Sequence, residues 1–228
     1  MKKFLQFAIT LTLFVLAIIL FTTGNADAAF SLAVVLPVGF GPLDWPVGSE
    51  NMGGYKNRML FFPAGSVDIV PEIIIPESGA SAKDTVTAKG KFQNNPVAPE
   101  VTPTDATPVT IYATKGTVQH SAENQGDTDG QSFIQRLAYF HPGNKAENAA
   151  FARKVNNTPG YYVIEDPDGT QYMIGSKGLP AHTKPAFDGG AAAADRKGMT
   201  FNAEAESFVP YVILETKFDM ETGTYPAP

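Results

Sequence analysis

The chain of 228 residues contains no cysteine, which excludes thiolate catalysis, disulfide frameworks and cysteine-ligated zinc. Histidine is scarce. His120, His141 and His182 lie far apart in sequence, and none has the spacing that places two imidazoles on one helix face around a metal. No run of Lys and Arg occurs, and a net charge of −6 with a pI near 5.1 opposes binding to phosphate backbones or to an anionic membrane surface. No serine sits in a Gly-x-Ser-x-Gly elbow, so a hydrolase triad has no nucleophile to build on. The glycines Gly39, Gly41, Gly53 and Gly54 lack the strand and helix around them that a phosphate-cradling loop requires.

What the chain does have is apolar and aromatic mass broken by turn residues. With 43% hydrophobic residues, 16 Phe and 8 Tyr, it holds enough apolar area for a true core. The 18 Pro and 21 Gly cut that mass into short runs, which favours strands joined by loops over a helical bundle. The length fits one ordinary domain with extended arms.

Lys2 and Lys3 precede an apolar run from Phe4 to Phe21, followed by Thr22-Thr23-Gly24-Asn25 and the small-residue site Ala26-Asp27-Ala28. This is the order of a secretory signal, with the cut expected between Ala28 and Ala29. Left uncleaved, residues 4–21 would form an apolar helix long enough to anchor the chain in a membrane, and that run is the only membrane contact expected. Cleavage would place the protein in the periplasm, on the cell surface or outside the cell. Residues 29–52 read as an extended arm, because Pro37, Gly39, Gly41, Pro42 and Pro46 forbid a regular helix. Its Phe30, Leu36, Phe40 and Trp45 need a surface to bury against, which makes them candidate contacts between copies.

Residues 53–228 are expected to form a mainly β assembly domain, an antiparallel sandwich or barrel with one packed α-helix. Strands are expected at Met59–Phe62, Val67–Ile75, Thr85–Phe92, Val109–Ala113, Gly116–His120 and Ser132–His141. Further strands follow at Tyr161–Glu165, Gln171–Ile174, Met199–Glu206 and Val209–Thr216. Residues 93–109 carry Pro96, Pro99, Pro103 and Pro108 and read as a long loop, either a mobile excursion or an arm touching a partner. The helix runs from about Asn144 to Val155, with Asn144 as cap and Glu147 reaching back. Asp166-Pro167-Asp168-Gly169-Thr170 is the clearest hairpin turn. The two-sided apolar run Ser132–His141 places Phe133, Leu137 and Tyr139 on one face, the side expected to meet other subunits or a second sheet.

Candidate chemistry is thin. Asp127 and Asp129 within Asn124-Gln125-Gly126-Asp127-Thr128-Asp129-Gly130 resemble the opening of a calcium loop, although the bidentate Glu of an EF-hand is missing; an Asp-rich turn has the same composition. Glu165 and Glu204 are as good a pair as any other for glycoside hydrolysis, a guess that only their separation in space can decide. Tyr139, Tyr161, Tyr162 and Tyr172 would serve a monomeric sandwich that binds a ligand or carbohydrate, or simply pack strands.

Five segments form an ordered series: Gly53-Gly54-Tyr55-Lys56-Asn57-Arg58; Asp127 to Phe133; His141-Pro142-Gly143-Asn144-Lys145-Ala146-Glu147 with Phe151-Ala152-Arg153; Glu165 to Gly169; and Ala194 to Phe201. The series, spanning Gly53 to Tyr211, resembles the tail-tube-like virion proteins of bacterial viruses, particularly those of Bacteroidetes-type hosts. The resemblance implies a sandwich with one flanking helix, joined into rings of six copies that stack into a tube, without catalytic site, metal or cofactor. Its long strand and hairpin would close the ring, and its Pro-rich loop or arm would link rings. The export-type leader departs from that pattern, since tail tubes assemble in the cytoplasm. The chain is accordingly expected to be a non-enzymatic subunit whose partner is itself, in an exported filament or layer, or in a virion.

Overall fold

The computed structural model describes residues 52–74, 86–95, 102–192 and 194–226. The apolar leader and the arm with Phe30, Leu36, Phe40 and Trp45 lie outside the described residues, as does the middle of the Pro-rich stretch. The described chain is mainly β with a single α-helix. Its strands are β1 (Arg58–Pro63), β2 (Glu72–Ile74), β3 (Thr87–Lys89), β4 (Gln93–Asn94), β5 (Thr104–Asp105), β6 (Val109–Tyr112), β7 (Gln119–Gln125) and β8 (Ser132–Pro142). The helix α1 (Ala146–Val155) follows, then β9 (Gly160–Glu165), β10 (Gln171–Ile174), β11 (His182–Asp188), β12 (Gly198–Ser207) and β13 (Val212–Leu214).

Two sheets carry the fold. A seven-stranded sheet has the order β2-β3-β13-β10-β9-β1-β6, and a four-stranded sheet has the order β11-β12-β8-β7. All pairings are antiparallel except β13 with β3. The core of the sandwich joins Met59, Phe61, Tyr162, Ile164 and Ile174 of the large sheet to Leu137, Tyr139, Phe201, Ala203 and Ala205 of the small one. Helix α1 closes this layer with Ala152 and Val155, while Phe151 meets Phe61 and Phe201 edge-on.

The opposite face of the large sheet is also covered. Leu60, Phe62, Tyr161, Val163 and Met173 pack under Val67, Phe92, Ala106, Phe218 and Met220, all supplied by loops and the C-terminal segment. Burial on both faces explains why β1 and β9 read as continuous apolar runs rather than alternating ones. Phe62 stacks on Phe92 at 4.2 Å, and the Phe92 amide donates to the Tyr225 hydroxyl at 2.8 Å. Gln171 clamps the C-terminal segment, its side-chain amide bonding both the Phe218 carbonyl (2.7 Å) and the Phe218 N–H (2.8 Å).

Several expectations are corrected. The run 67–75 is not one strand, since Pro71 interrupts it and only Glu72–Ile74 joins a ladder. The ends of the Pro-rich stretch form the small β4–β5 hairpin, and Ala106 is buried under it, so these ends pack on their own core. The strand expected at Gly116–His120 lies instead at Gln119–Gln125, reaching into the run read as a polar turn; its side chains are polar because it is an edge. The helix begins at Ala146 with Lys145 as cap, and no side chain caps it. Asn148 instead donates to the Pro142 and Gly143 carbonyls and shapes the turn before the helix. Strand β11 escapes sequence reading because Pro185 sits inside it, which only an edge position tolerates.

Candidate functional site

Strand β6 is one edge of the large sheet. Val109 and Ile111 lie opposite Phe61 and Met59, and the Ala113 amide donates to the Asn57 carbonyl at 2.8 Å. By the alternation of an antiparallel ladder, Thr110 and Tyr112 then turn their backbone groups outward. The Tyr112 carbonyl accepts from His141 Nδ1 at 2.8 Å, which fixes the imidazole proton on that nitrogen. The N–H and C=O of Thr110 and the N–H of Tyr112 face the open side. Val109 (41% exposed) and Tyr112 (45%) flank them, and none of the four residues is Pro, Lys or any other charge.

Beside this edge lies a groove of about 190 Å³, walled by β6, Phe151 and Phe201, with His141, Glu147 and Asn148 at its mouth. Lys115, Lys145, Arg196 and Lys197 are exposed at the same end of the small sheet. The turn holding Lys115 is pinned by the Thr114 amide on the Phe140 carbonyl at 2.8 Å, Arg196 lies over the Phe140 ring at 5.0 Å, and the Lys197 carbonyl accepts from Gly143 at 2.9 Å. Gly198 begins β12 here because a Cβ would run into the His141 carbonyl and the Phe140 ring.

The other end of the small sheet is acidic and carries a projecting aromatic. β12 runs from Gly198, opposite Pro142, to Ser207, opposite Phe133, so its ten residues span about 30 Å. Glu123, Asp127, Asp129 and Glu206 are exposed at this far end. Phe208 follows, 74% exposed between the buried Ser207 and Val209. The buried Gln135 amide donates to Ser207 Oγ (3.3 Å) and to the Val209 carbonyl (3.2 Å), and the Val209 amide donates to Ser207 Oγ (3.2 Å). The turn is thus held from beneath, and Phe208 is presented outward by a fixed backbone. The sequence carried a signal for this. Phe208 falls on the phase that Thr200, Asn202, Glu204 and Glu206 occupy, the solvent face of the alternating run.

A second cluster gathers Tyr55, His120, Tyr172 and Tyr211, with ring centroids 6.1 to 6.3 Å apart in edge-on or tilted pairs. Tyr172 donates to Asp166 Oδ2 at 2.8 Å. Burial, then the Asp166 carboxylate, push the Tyr172 and Tyr55 hydroxyls above their ordinary range. Burial raises Asp166 too, against the pull of the Tyr172 bond. His120 Nε2 is buried without a partner, and desolvation pushes the imidazole down to about 4.

Other residues singled out from sequence fall elsewhere. Leu137 and Tyr139, read as contacts between copies, are 1% exposed and belong to the sandwich core; Phe133 is half-buried at the acidic end. Tyr161 and Tyr162 are likewise core. Asp127 and Asp129 sit in the exposed turn between β7 and β8, which the Gly130 amide closes on the Asp127 carbonyl at 3.0 Å. Among the described residues no three His, Asp or Glu side chains gather as a metal site. Glu165 and Glu204 lie on different sheets, each tied to cations: Glu165 to Lys56 at 3.1 Å, Glu204 to Lys184 at 3.1 Å and Arg136 at 3.3 Å. Those bonds, Lys184 first, hold the Glu204 carboxyl below its usual range. Among the described residues no helix is long and apolar enough to cross a membrane.

Comparison with protein-family models, curated proteins and solved structures finds no match.

Proposed function

We propose that the chain is a structural subunit that assembles with copies of itself into a ring, tube or filament, in the manner of the tail-tube-like proteins it resembles. One observation carries this reading. Among the described residues the large sheet ends in two edges without a further strand, β6 and β2, and the alternation of strand directions across it leaves them running in opposite senses. Copies placed side by side by rotation would therefore join β6 to β2 as an antiparallel pair, the better-bonded ladder, and continue the sheet from one molecule to the next.

The edges differ in how they are guarded. β11 carries Lys184 and Pro185, and β7 carries Glu123, the usual devices against unwanted pairing. β6, with Val-Thr-Ile-Tyr, carries neither charge nor Pro, whereas β2 exposes Ile74 but also carries Glu72 directly after Pro71. The unguarded edge of β6 is therefore the stronger half of the proposed pairing surface. The partner is a further copy, and the export-type leader would place the assembly outside the cytoplasm unless it belongs to a virion.

Electron microscopy and sedimentation of the purified full chain test the reading. Wild type is expected to form rings or longer assemblies, and Thr110→Pro, which removes an outward N–H without breaking a ladder bond, is expected to remain monomeric with an unchanged circular dichroism spectrum. Wild-type monomers at every concentration would sink it. A ligand-binding monomer draws its support from the partly exposed Tyr55, Tyr172 and Tyr211 beside Asp166, and binding on a glycan array by Thr110→Pro would favour that alternative.

A further inference from the structure

The molecule carries a knob and a hole at opposite ends of one sheet. The knob is Phe208, held outward by Gln135 and flanked by Glu206 and the exposed Tyr211. The hole is the groove of about 190 Å³ between β6 and α1, walled largely by apolar surface and with room for an aromatic side chain to enter. Phe208 cannot fill its own groove, because the length of β12 separates them. Charge follows the same polarity. Glu123, Asp127, Asp129 and Glu206 lie at the knob end, Glu123 paired with Arg136, whereas at the hole end Lys115, Lys145, Arg196 and Lys197 lie near Glu147, Asp188 and Asp195, so that among the described residues this end keeps a small excess of positive charge.

We infer that Phe208 of one copy seats in the groove of a second copy, joining the acidic end of the first to the basic end of the next. This contact is heterologous: the two surfaces are different, so each subunit keeps a free knob and a free hole and the contact repeats along an axis. It rests on the self-assembly reading and adds an axial direction to it. Sheet extension would add a strand in the plane of β6, whereas the groove is also lined by Glu147, Asn148 and Phe151 of α1 and by Phe201, so the axial contact draws on residues that the lateral contact does not. The fixed backbone under Phe208 lowers the ordering cost of docking, and the opposed charges steer the ends together.

The absence of cysteine makes a direct test available. In the full chain, Glu206→Cys, which leaves Phe208 in place, combined with Glu147→Cys and treated with a short thiol-specific cross-linker, is expected to give a ladder of dimers, trimers and higher multimers. Mixing the two single variants is expected to give only cross-linked dimers containing one of each. Phe208→Asp is expected to raise the concentration needed for assembly at least about tenfold, and added salt to raise it further in wild type. If the double variant assembles by light scattering but yields no cross-links, or if Glu206→Cys cross-links only to itself, the knob-in-groove contact is wrong while self-assembly stands. If wild type does not assemble by light scattering at any concentration, the self-assembly reading falls, and the axial contact with it.

Discussion

His120 shows how a single side chain can set the pH dependence of this fold. Its ring is enclosed by Tyr55 and Tyr172, with the Asp166 carboxylate one hydrogen bond further on, and burial lowers it from 6.5 to about 4. The unfolded chain takes up a proton near 6.5 that the folded chain refuses until about 4, so stability is complete above 6.5 and falls as the pH drops through that interval. The full loss is about 3 kcal/mol. Asp166, raised by burial, works in the opposite sense near its own titration, which leaves the upper part of the interval, just below 6.5, as the clean window. Chemical denaturation across that window should show a decline in wild type that His120→Phe flattens; equal slopes would refute the assignment. Tyr139 offers a contrast. Its hydroxyl is buried beside that of Tyr162 without a hydrogen bond of ordinary geometry, whereas the Tyr162 hydroxyl bonds Thr183 Oγ1 at 2.7 Å. Tyr139→Phe should be neutral or stabilising by up to about 1 kcal/mol, and Tyr162→Phe should cost about 1 to 2 kcal/mol by leaving Thr183 unsatisfied. Denaturation midpoints for the two variants distinguish them, and a costly Tyr139→Phe would contradict this reading.

Among the elements, those whose two faces meet unlike surroundings were the legible ones. β12 alternates Met199, Phe201, Ala203 and Ala205 inward against polar residues outward, and its register on β8 follows that alternation. The hairpin β9–β10 announces itself through Gly169, whose φ of 84° suits the turn, and through Asp168, whose carboxylate accepts from the Thr170 amide at 2.7 Å. Edge elements were harder to read. β7 and β11 have a free side where polar residues and Pro cost nothing, so their composition mimics a loop. The start of α1 was misread because Asn144 and Glu147 have capping-box spacing, yet the chain enters the helix one residue later. The vacant cap gives a prediction: Lys145→Ser, at a position already in extended geometry (φ −64°, ψ 155°), should stabilise the fold by about 0.5 to 1 kcal/mol. Thermal unfolding should show a rise of a few degrees, and an unchanged midpoint would mean that water already satisfies the first turn.

At the scale of the whole molecule, the proposed self-assembly rests on the polarity of the small sheet and on the edges that the large sheet leaves among the described residues. The outer face of the small sheet is the least suited to such contact. There Lys184, Glu204, Arg136 and Glu123 form a row of alternating charge, with Arg136 bonded to both acids, and the row satisfies itself. Neutralising it with Arg136→Gln should leave assembly unchanged by sedimentation and alter stability by less than about 1 kcal/mol, because exposed pairs contribute little. A loss of assembly in that variant would move the interface to this face. Composition and periodicity alone determined that the chain folds as a β-sandwich with one helix, because apolar spacing and turn residues act locally. Which apolar residues stay uncovered was decided only in three dimensions. Leu137 and Phe208 are equally apolar in sequence, yet one faces the opposing sheet and the other faces water, since exposure depends on what the rest of the chain places overhead.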